Sequence, residues 1–173
     1  MGAVIRFARR HKTEIVIFLL AFAVRFALFG LSVYVNHGDI VATVHGDDGY
    51  FELSRNLVAG HGLSWDSAPP FAPNPLRPPL YPLFLAIPLY LTGSYWITIL
   101  CQMLGGSIIP VLGMIFARRL IGSPSIGLVV GLLLAIEPYG ALLSFIFYTE
   151  TVFTALFLGF LILCSSYLNR RSL

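Results

Sequence analysis

Charged residues are scarce in this sequence. Only 11% of its 173 residues are Asp, Glu, Lys or Arg, whereas soluble domains carry about 25%. With 57% apolar residues and a mean hydropathy of +0.84, the composition excludes a soluble globular domain, a disordered chain and a nucleic-acid-binding protein. The presence of only two cysteines excludes a disulfide-dense secreted module and leaves the redox compartment open. The surplus of apolar residues over charge indicates a membrane protein.

Apolar runs predict four membrane-spanning helices, at about residues 15–35, 96–116, 126–143 and 151–168. The first run would extend about 31 Å as a helix, which matches one bilayer core and exceeds the apolar region of a signal peptide. We expect Glu137 and the proline after it to break the third span near its far end. The predicted fold class is an all-α integral membrane protein, a single membrane domain with an outer loop over residues 36–95 that carries short interfacial helices.

The basic residues predict the orientation. Eight of the eleven Lys and Arg residues fall on one side of these spans, namely Arg6, Arg9, Arg10, Lys12, Arg118, Arg119, Arg170 and Arg171. By the positive-inside rule both termini are expected in the cytoplasm, and the long first loop and the turn near Glu150 outside it. Within the spans, Arg25 and Glu137 are candidates for a structural ion pair, and Gly127 and Gly131 for close helix contact.

The first outer loop contains an acidic pair, Asp47-Asp48, directly before a predicted amphipathic helix. The spacing of Tyr50, Leu53, Ser54 and Leu57 is that of one helix face. Gly60 is placed to end this helix. One interpretation of the pair is helix capping, which needs only one carboxylate. The other is a catalytic carboxylate at the water–membrane boundary.

A proline-rich segment returns the chain to the membrane. Residues 69–82 hold seven of the eleven prolines, so the segment is expected to be a stiff, extended strut. A short interfacial helix at about residues 83–91 is predicted to follow it. Arg77 is the only charged residue of the strut; it is either an anchor among lipid headgroups or a ligand of a phosphate or substrate.

Together these residues resemble the first outer loop of GT-C membrane glycosyltransferases, such as protein O-mannosyltransferases and the aminoarabinose transferases that act on lipid A. The resemblance rests on the order Asp47-Asp48-Gly49-Tyr50, Leu53, Asn56-Leu57, Gly60, Gly62 and then Arg77-Pro78-Pro79-Leu80-Tyr81-Pro82. Downstream, Ala117-Arg118-Arg119-Leu120-Ile121-Gly122 and Tyr148-Thr149-Glu150-Thr151 are similar as well. The resemblance covers nearly all of the chain.

The resemblance implies an enzyme: an inverting, polyprenyl-phosphate-sugar-dependent glycosyltransferase. Asp47, with Asp48 beside it, would be the catalytic base that deprotonates an acceptor hydroxyl. Glu150 matches a second acid, which would orient the acceptor or hold a cation. Arg77 or Arg55 would contact the departing phosphate, unless a basic residue beyond this chain does so, and Tyr50 is a further substrate-binding candidate.

The implied partners are a polyprenyl-phosphate-linked sugar, a lipid, glycan or protein acceptor, and membrane lipid, without nucleic acid. No cofactor is required, although His37, His45 and His61 beside the loop aspartates leave a divalent metal open. Because GT-C enzymes usually have more spans, we expect the N-terminal part of a larger fold, which a second chain could also complete. The alternatives are a non-catalytic subunit or inactive fragment that binds lipid-linked sugar, and a purely structural bundle. The expected location is a bacterial inner membrane.

Overall fold

The computed structural model describes residues 10–46 and 48–171, the last three by their backbone alone. The regular structure in these ranges is helical, which confirms the all-α part of the predicted class. The helices are α1 (Lys12–Val35), α2 (Ile40–Val44), α3 (Tyr50–Val58), α4 (Leu80–Thr92), α5 (Tyr95–Ile121), α6 (Pro124–Ile136), α7 (Pro138–Leu143) and α8 (Glu150–Arg171).

Three of these helices are long and apolar enough to cross a membrane: α1, α5 and the part Glu150–Leu168 of α8. They have 24, 27 and 19 residues, and at about 1.5 Å per residue each approaches or exceeds a bilayer core of about 30 Å. Large apolar side chains such as Phe26 and Phe160 remain exposed on them, as suits contact with lipid. The protein is therefore membrane-associated.

The predicted third span is two helices rather than one. Helix α6 ends at Ile136, Glu137 is extended with ψ 119°, and α7 begins at Pro138, because a residue that precedes proline is pushed out of the helical region. The break predicted at Glu137 is confirmed, and a fourth continuous span is not among the helices described. At 13 residues, α6 reaches only about 20 Å.

Helix α5 is the central packing element, in contact with α1, α4, α6 and α8. Its contact with α6 is close where Gly127 and Gly131 are buried against Met114. A Cβ atom on Gly127 would lie 2.9 Å from the backbone oxygen of Met114 and would also overlap Arg118. The predicted close helix contact at these two glycines is confirmed.

This packing gives a stability prediction. We expect Gly127→Ala to lower the free energy of unfolding by about 1–3 kcal/mol, because the added methyl group has no room. Arg118 cannot easily move aside, since its NH1 donates to Glu14 Oε1 at 2.8 Å. The matched control is Gly159→Ala in α8, where a Cβ meets nothing within 4 Å and the exchange should stabilise by about 0.5–1 kcal/mol. Thermal unfolding in detergent measures both, and equal shifts would contradict the packing argument.

The loop between α1 and α5 packs against the ends of the long helices. The amphipathic helix predicted from Tyr50 onwards is α3, and it buries Tyr50, Phe51, Leu53 and Ser54. The Phe51 ring stacks on Tyr95 with the centroids 5.0 Å apart. The interfacial helix predicted at 83–91 is α4, which begins earlier, at Leu80. The proline-rich segment thus follows α3, which ends at Val58, and runs into the first turn of α4.

Candidate functional site

An ion pair joins the acidic pair to the proline-rich segment. Arg77 NH2 donates to Asp48 Oδ1 at 2.7 Å, and the two side chains are 32% and 34% exposed. The Arg77 guanidinium also lies over the Tyr50 ring, 5.3 Å from its centroid, within the range of a cation–π interaction. Arg77 Nε is buried and has no acceptor within residues 10–46 and 48–171. Three of the predicted site residues, Asp48, Tyr50 and Arg77, therefore form one cluster.

The capping interpretation is wrong for Asp48. The residue that caps α3 is Gly49, with φ +73°, and none of the side chains that the structure describes accepts a capping hydrogen bond there. A Cβ at Gly49 would lie 2.5 Å from Trp65 Nε1, so both the backbone angle and the space require glycine. The Asp48 carboxylate is therefore available to Arg77. The predicted catalytic base, Asp47, lies outside the described residues.

An apolar groove of about 280 Å³ lies beside this cluster. Four of its residues, at positions 149, 152, 153 and 156, recur at the spacing of one face of α8. The groove therefore follows the first two turns of a membrane-spanning helix, with Tyr50 among its walls. Its lining consists of Tyr50, Pro78, Leu80, Tyr81, Thr149, Val152, Phe153 and Leu156.

Tyr81 fixes the floor of the groove. Its ring meets Tyr50 edge to face at 4.9 Å, and its hydroxyl donates to Gln102 Oε1 at 2.7 Å. Burial raises the pKa of the Tyr81 hydroxyl far above its ordinary value, the Gln102 bond lowers it, and the charge of Glu150 raises it further. The carboxylate of Glu150 thus acts electrostatically on the Tyr81 hydroxyl.

Glu150 itself borders a different cavity. This second space, of about 140 Å³, is lined by Arg25, Ile109, Leu134, Glu137, Gly140, Leu143, Glu150, Thr151 and Thr154. The first turns of α8 separate it from the apolar groove. Asp48 therefore lies in the cluster beside the groove, whereas Glu150 lines the second cavity. Arg25 and Glu137 line the same cavity, but the predicted ion pair between them is not formed among the described residues.

The charged residues Glu52, Arg55 and Asp66 do not line the groove. Arg55 stands over Phe51 at 5.9 Å and borders a small pocket with Asp66. His45 Nε2 lies 2.7 Å from Glu52 Oε1. In residues 10–46 and 48–171 no group of three or more His, Cys, Asp or Glu side chains is arranged to hold a metal ion.

Sequence reasoning missed the structural roles of Tyr81 and Gln102. Gln102 is fully buried and donates through Nε2 to Leu143 O at 3.2 Å and Ile146 O at 2.6 Å. The available signal was its position as the only amide side chain in the second predicted span, because polar groups at that depth are costly unless paired.

Comparison with known protein families, with curated proteins and with solved structures finds no match for this chain.

Proposed function

We propose that the chain is the N-terminal part of a GT-C-like glycosyltransferase. It would move a sugar from a polyprenyl-phosphate-linked donor to an acceptor hydroxyl at the extracytoplasmic face of the membrane. One observation carries the proposal: the Asp48–Arg77 ion pair over Tyr50 stands at the head of an apolar groove that follows a membrane-spanning helix. A charged head beside an apolar channel matches an amphiphile with an anionic headgroup.

Arg77 has the chemistry that the donor phosphate needs. The carrier phosphate departs as an anion, so it needs positive contacts more than a proton donor. A guanidinium offers two parallel hydrogen bonds to phosphate oxygens, and no described residue accepts from Arg77 Nε. The prenyl chain would lie in the groove between Leu80 and Phe153, where it is removed from water.

The acids take separate parts in this proposal. Asp47 removes the proton from the acceptor hydroxyl as the hydroxyl oxygen attacks the anomeric carbon of the donor sugar. The configuration at that carbon is inverted. Asp48 holds Arg77 in place through its ion pair. Tyr50 presents its ring beneath the guanidinium, and Glu150 orients the acceptor from the neighbouring cavity. The reaction needs no cofactor.

We also propose a topology for this activity. Helices α6 and α7, joined at Glu137, together form a fourth, broken crossing of a bacterial inner membrane, and both termini lie in the cytoplasm. Irregular backbone at membrane depth is tolerated where it is buried in protein or lines a wet cavity, and Glu137 lines the cavity beside Arg25. This topology places the loop aspartates and Glu150 on the same, outer side.

The test compares Arg77→Gln with Arg55→Gln. Membranes that contain the full chain receive a labelled polyprenyl-phosphate mannose, and transfer of label to non-lipid products is followed. We expect Arg77→Gln to lower kcat/KM by about 100-fold, the usual cost of one lost donor to a developing anion, whereas Arg55→Gln stays near the parental rate because Arg55 does not border the groove.

Two results would contradict the proposal. Equal losses of kcat/KM in Arg77→Gln and Arg55→Gln would show that Arg77 does not specifically contact the donor phosphate. Donor binding without any transfer by the parental chain would instead favour the non-catalytic subunit.

A further inference from the structure

The break between α6 and α7 leaves a charged cavity inside the membrane. Arg25 and Glu137 each stand 13 residues beyond the first residue of α1 and α6, or about 20 Å from those helix ends. Both line the 140 Å³ cavity, which Glu150 borders as well. At about 30 Å³ per water molecule this space exceeds the volume of several waters. A cavity of this kind at membrane depth is costly to maintain and marks a functional site.

The hydrogen bonds of Arg25 are incomplete. The residue is 2% exposed, and among the described residues its guanidinium makes one hydrogen bond, from NH1 to Ala21 O at 3.1 Å. Its Nε is buried and has no acceptor in that part of the chain. A guanidinium carries five N–H donors, and each donor left unmet away from water is destabilising. Arg25 therefore has donors that none of the described residues satisfies.

Arg25 is also held in place by the fold. A Cβ on Gly106 of α5 would lie 3.2 Å from Arg25 Nε and 2.7 Å from the Ser144 side chain. Glycine at this position is what lets the guanidinium pass between α5 and the segment after α7. The unmet donors are thus presented at a fixed position, as a binding site requires.

The lining of the cavity also includes acceptors. Glu137 accepts with both carboxylate oxygens from the backbone N–H groups of Tyr139 and Gly140, at 2.7 and 2.6 Å. Glu150 and Thr154 also line the space. The lining therefore combines the donors of Arg25 with residues that carry carboxylate and hydroxyl acceptors.

We propose that this cavity is a subsite for the hydroxyl groups of a sugar. Each hydroxyl both donates and accepts a hydrogen bond, so a polyhydroxylated ring can accept from Arg25 and donate to Glu150 or Thr154. Two carboxylates disfavour an anion here, and Arg25 disfavours a cation. The choice of sugar rests on the proposed function, but the subsite lies across α8 from the groove that would hold the lipid donor.

The probes are methyl glycosides of mannose, glucose and galactose. The full chain is purified in an amine-oxide detergent, which contains neither sugar nor phosphate, and saturation-transfer NMR titrations give the Kd of each glycoside. We expect at least one to bind the parental chain. Arg25→Gln should weaken that Kd at least about tenfold, the loss expected for a hydrogen bond to a charged group.

Two further variants keep the test sharp if Arg25→Gln unfolds. Thr154→Val removes one cavity hydroxyl at nearly constant volume and should also weaken the Kd. Arg118→Gln removes an arginine that is paired with Glu14 and lies outside the cavity, so its Kd should equal the parental value. Gel filtration and thermal unfolding identify the variants that fold.

Three results would overturn the subsite: no glycoside bound by the parental chain, unchanged affinity in both cavity variants, or phosphate rather than glycoside binding that depends on Arg25 in a ³¹P titration. The two proposals fail separately. Glycoside binding that needs Arg25, without any sugar transfer, retains the subsite and removes the transferase. Sugar transfer that needs Arg77, without glycoside binding at Arg25, retains the transferase and removes the subsite.

Discussion

Asp47→Asn is expected to lower the rate of sugar transfer by about 10²–10⁴-fold, the usual contribution of a general base. The argument comes from its neighbour. Asp48 Oδ1 already accepts a hydrogen bond from Arg77 at 2.7 Å, so its carboxylate is engaged in holding the guanidinium. Of the acidic pair, Asp47 is therefore the residue that we assign to proton removal.

Asp48→Asn should have a smaller effect of a different kind. Loss of the ion pair frees Arg77, and we expect about a tenfold fall in kcat/KM, in line with one lost hydrogen bond to a charged group. Because Arg77 is proposed to hold the donor, the change should appear mainly as a raised KM. The roles of the two aspartates can thus be distinguished, because Asp47→Asn should lower kcat and Asp48→Asn should mainly raise KM.

Asp39→Asn is the matched control for both variants. Asp39 lies in the same outer loop and caps α2, where its side chain accepts from the backbone N–H of Ala42. Asparagine caps helices as well as aspartate does, so transfer should be unchanged. Parental activity in Asp47→Asn and Asp48→Asn alike would remove the transferase mechanism. A greater kcat loss in Asp48→Asn would exchange the two roles.

The predictions that succeeded from sequence rest on local patterns. Apolar runs predicted the helices that became α1, α5 and α8, and the spacing from Tyr50 to Leu57 predicted α3. Such patterns depend on residues within a few turns of one another. The break at Glu137 was equally local, since proline restricts its predecessor.

The contacts of the site could not be predicted in the same way. Asp48 and Arg77 are 29 residues apart in sequence, and Tyr81 and Gln102 are 21 apart. Which of these side chains meet depends on how α3, α4 and α5 dock. Topology predicts that the acids share one side of the membrane, which stays a prediction, and it cannot distinguish the faces of α8. Glu150 stands one position from Thr149, and about 100° per residue is enough to place it on the second cavity.

Gln102→Leu is expected to lower the free energy of unfolding by about 2 kcal/mol. The substitution nearly conserves volume but leaves the buried Tyr81 hydroxyl without its acceptor, which alone costs about 1–3 kcal/mol. The two carbonyl acceptors lose less, because Leu143 O also accepts from Thr151 and Ile146 O from the backbone N–H of Tyr148. Detergent-driven unfolding of the full chain measures the difference.

The double variant Gln102→Leu, Tyr81→Phe decides whether the Tyr81 hydroxyl is the cause. Removing both partners leaves no unmet group at this contact, so the double variant should be more stable than Gln102→Leu alone. Ser107→Ala is the control on the same helix: Ser107 is also buried, but its hydroxyl bonds only to Met103 O one turn earlier. Loss of the Ser107 hydroxyl should lower the free energy of unfolding by less than about 1 kcal/mol. A double variant less stable than Gln102→Leu would assign the stability to packing of the Tyr81 ring, and the groove floor would then not depend on this hydrogen bond.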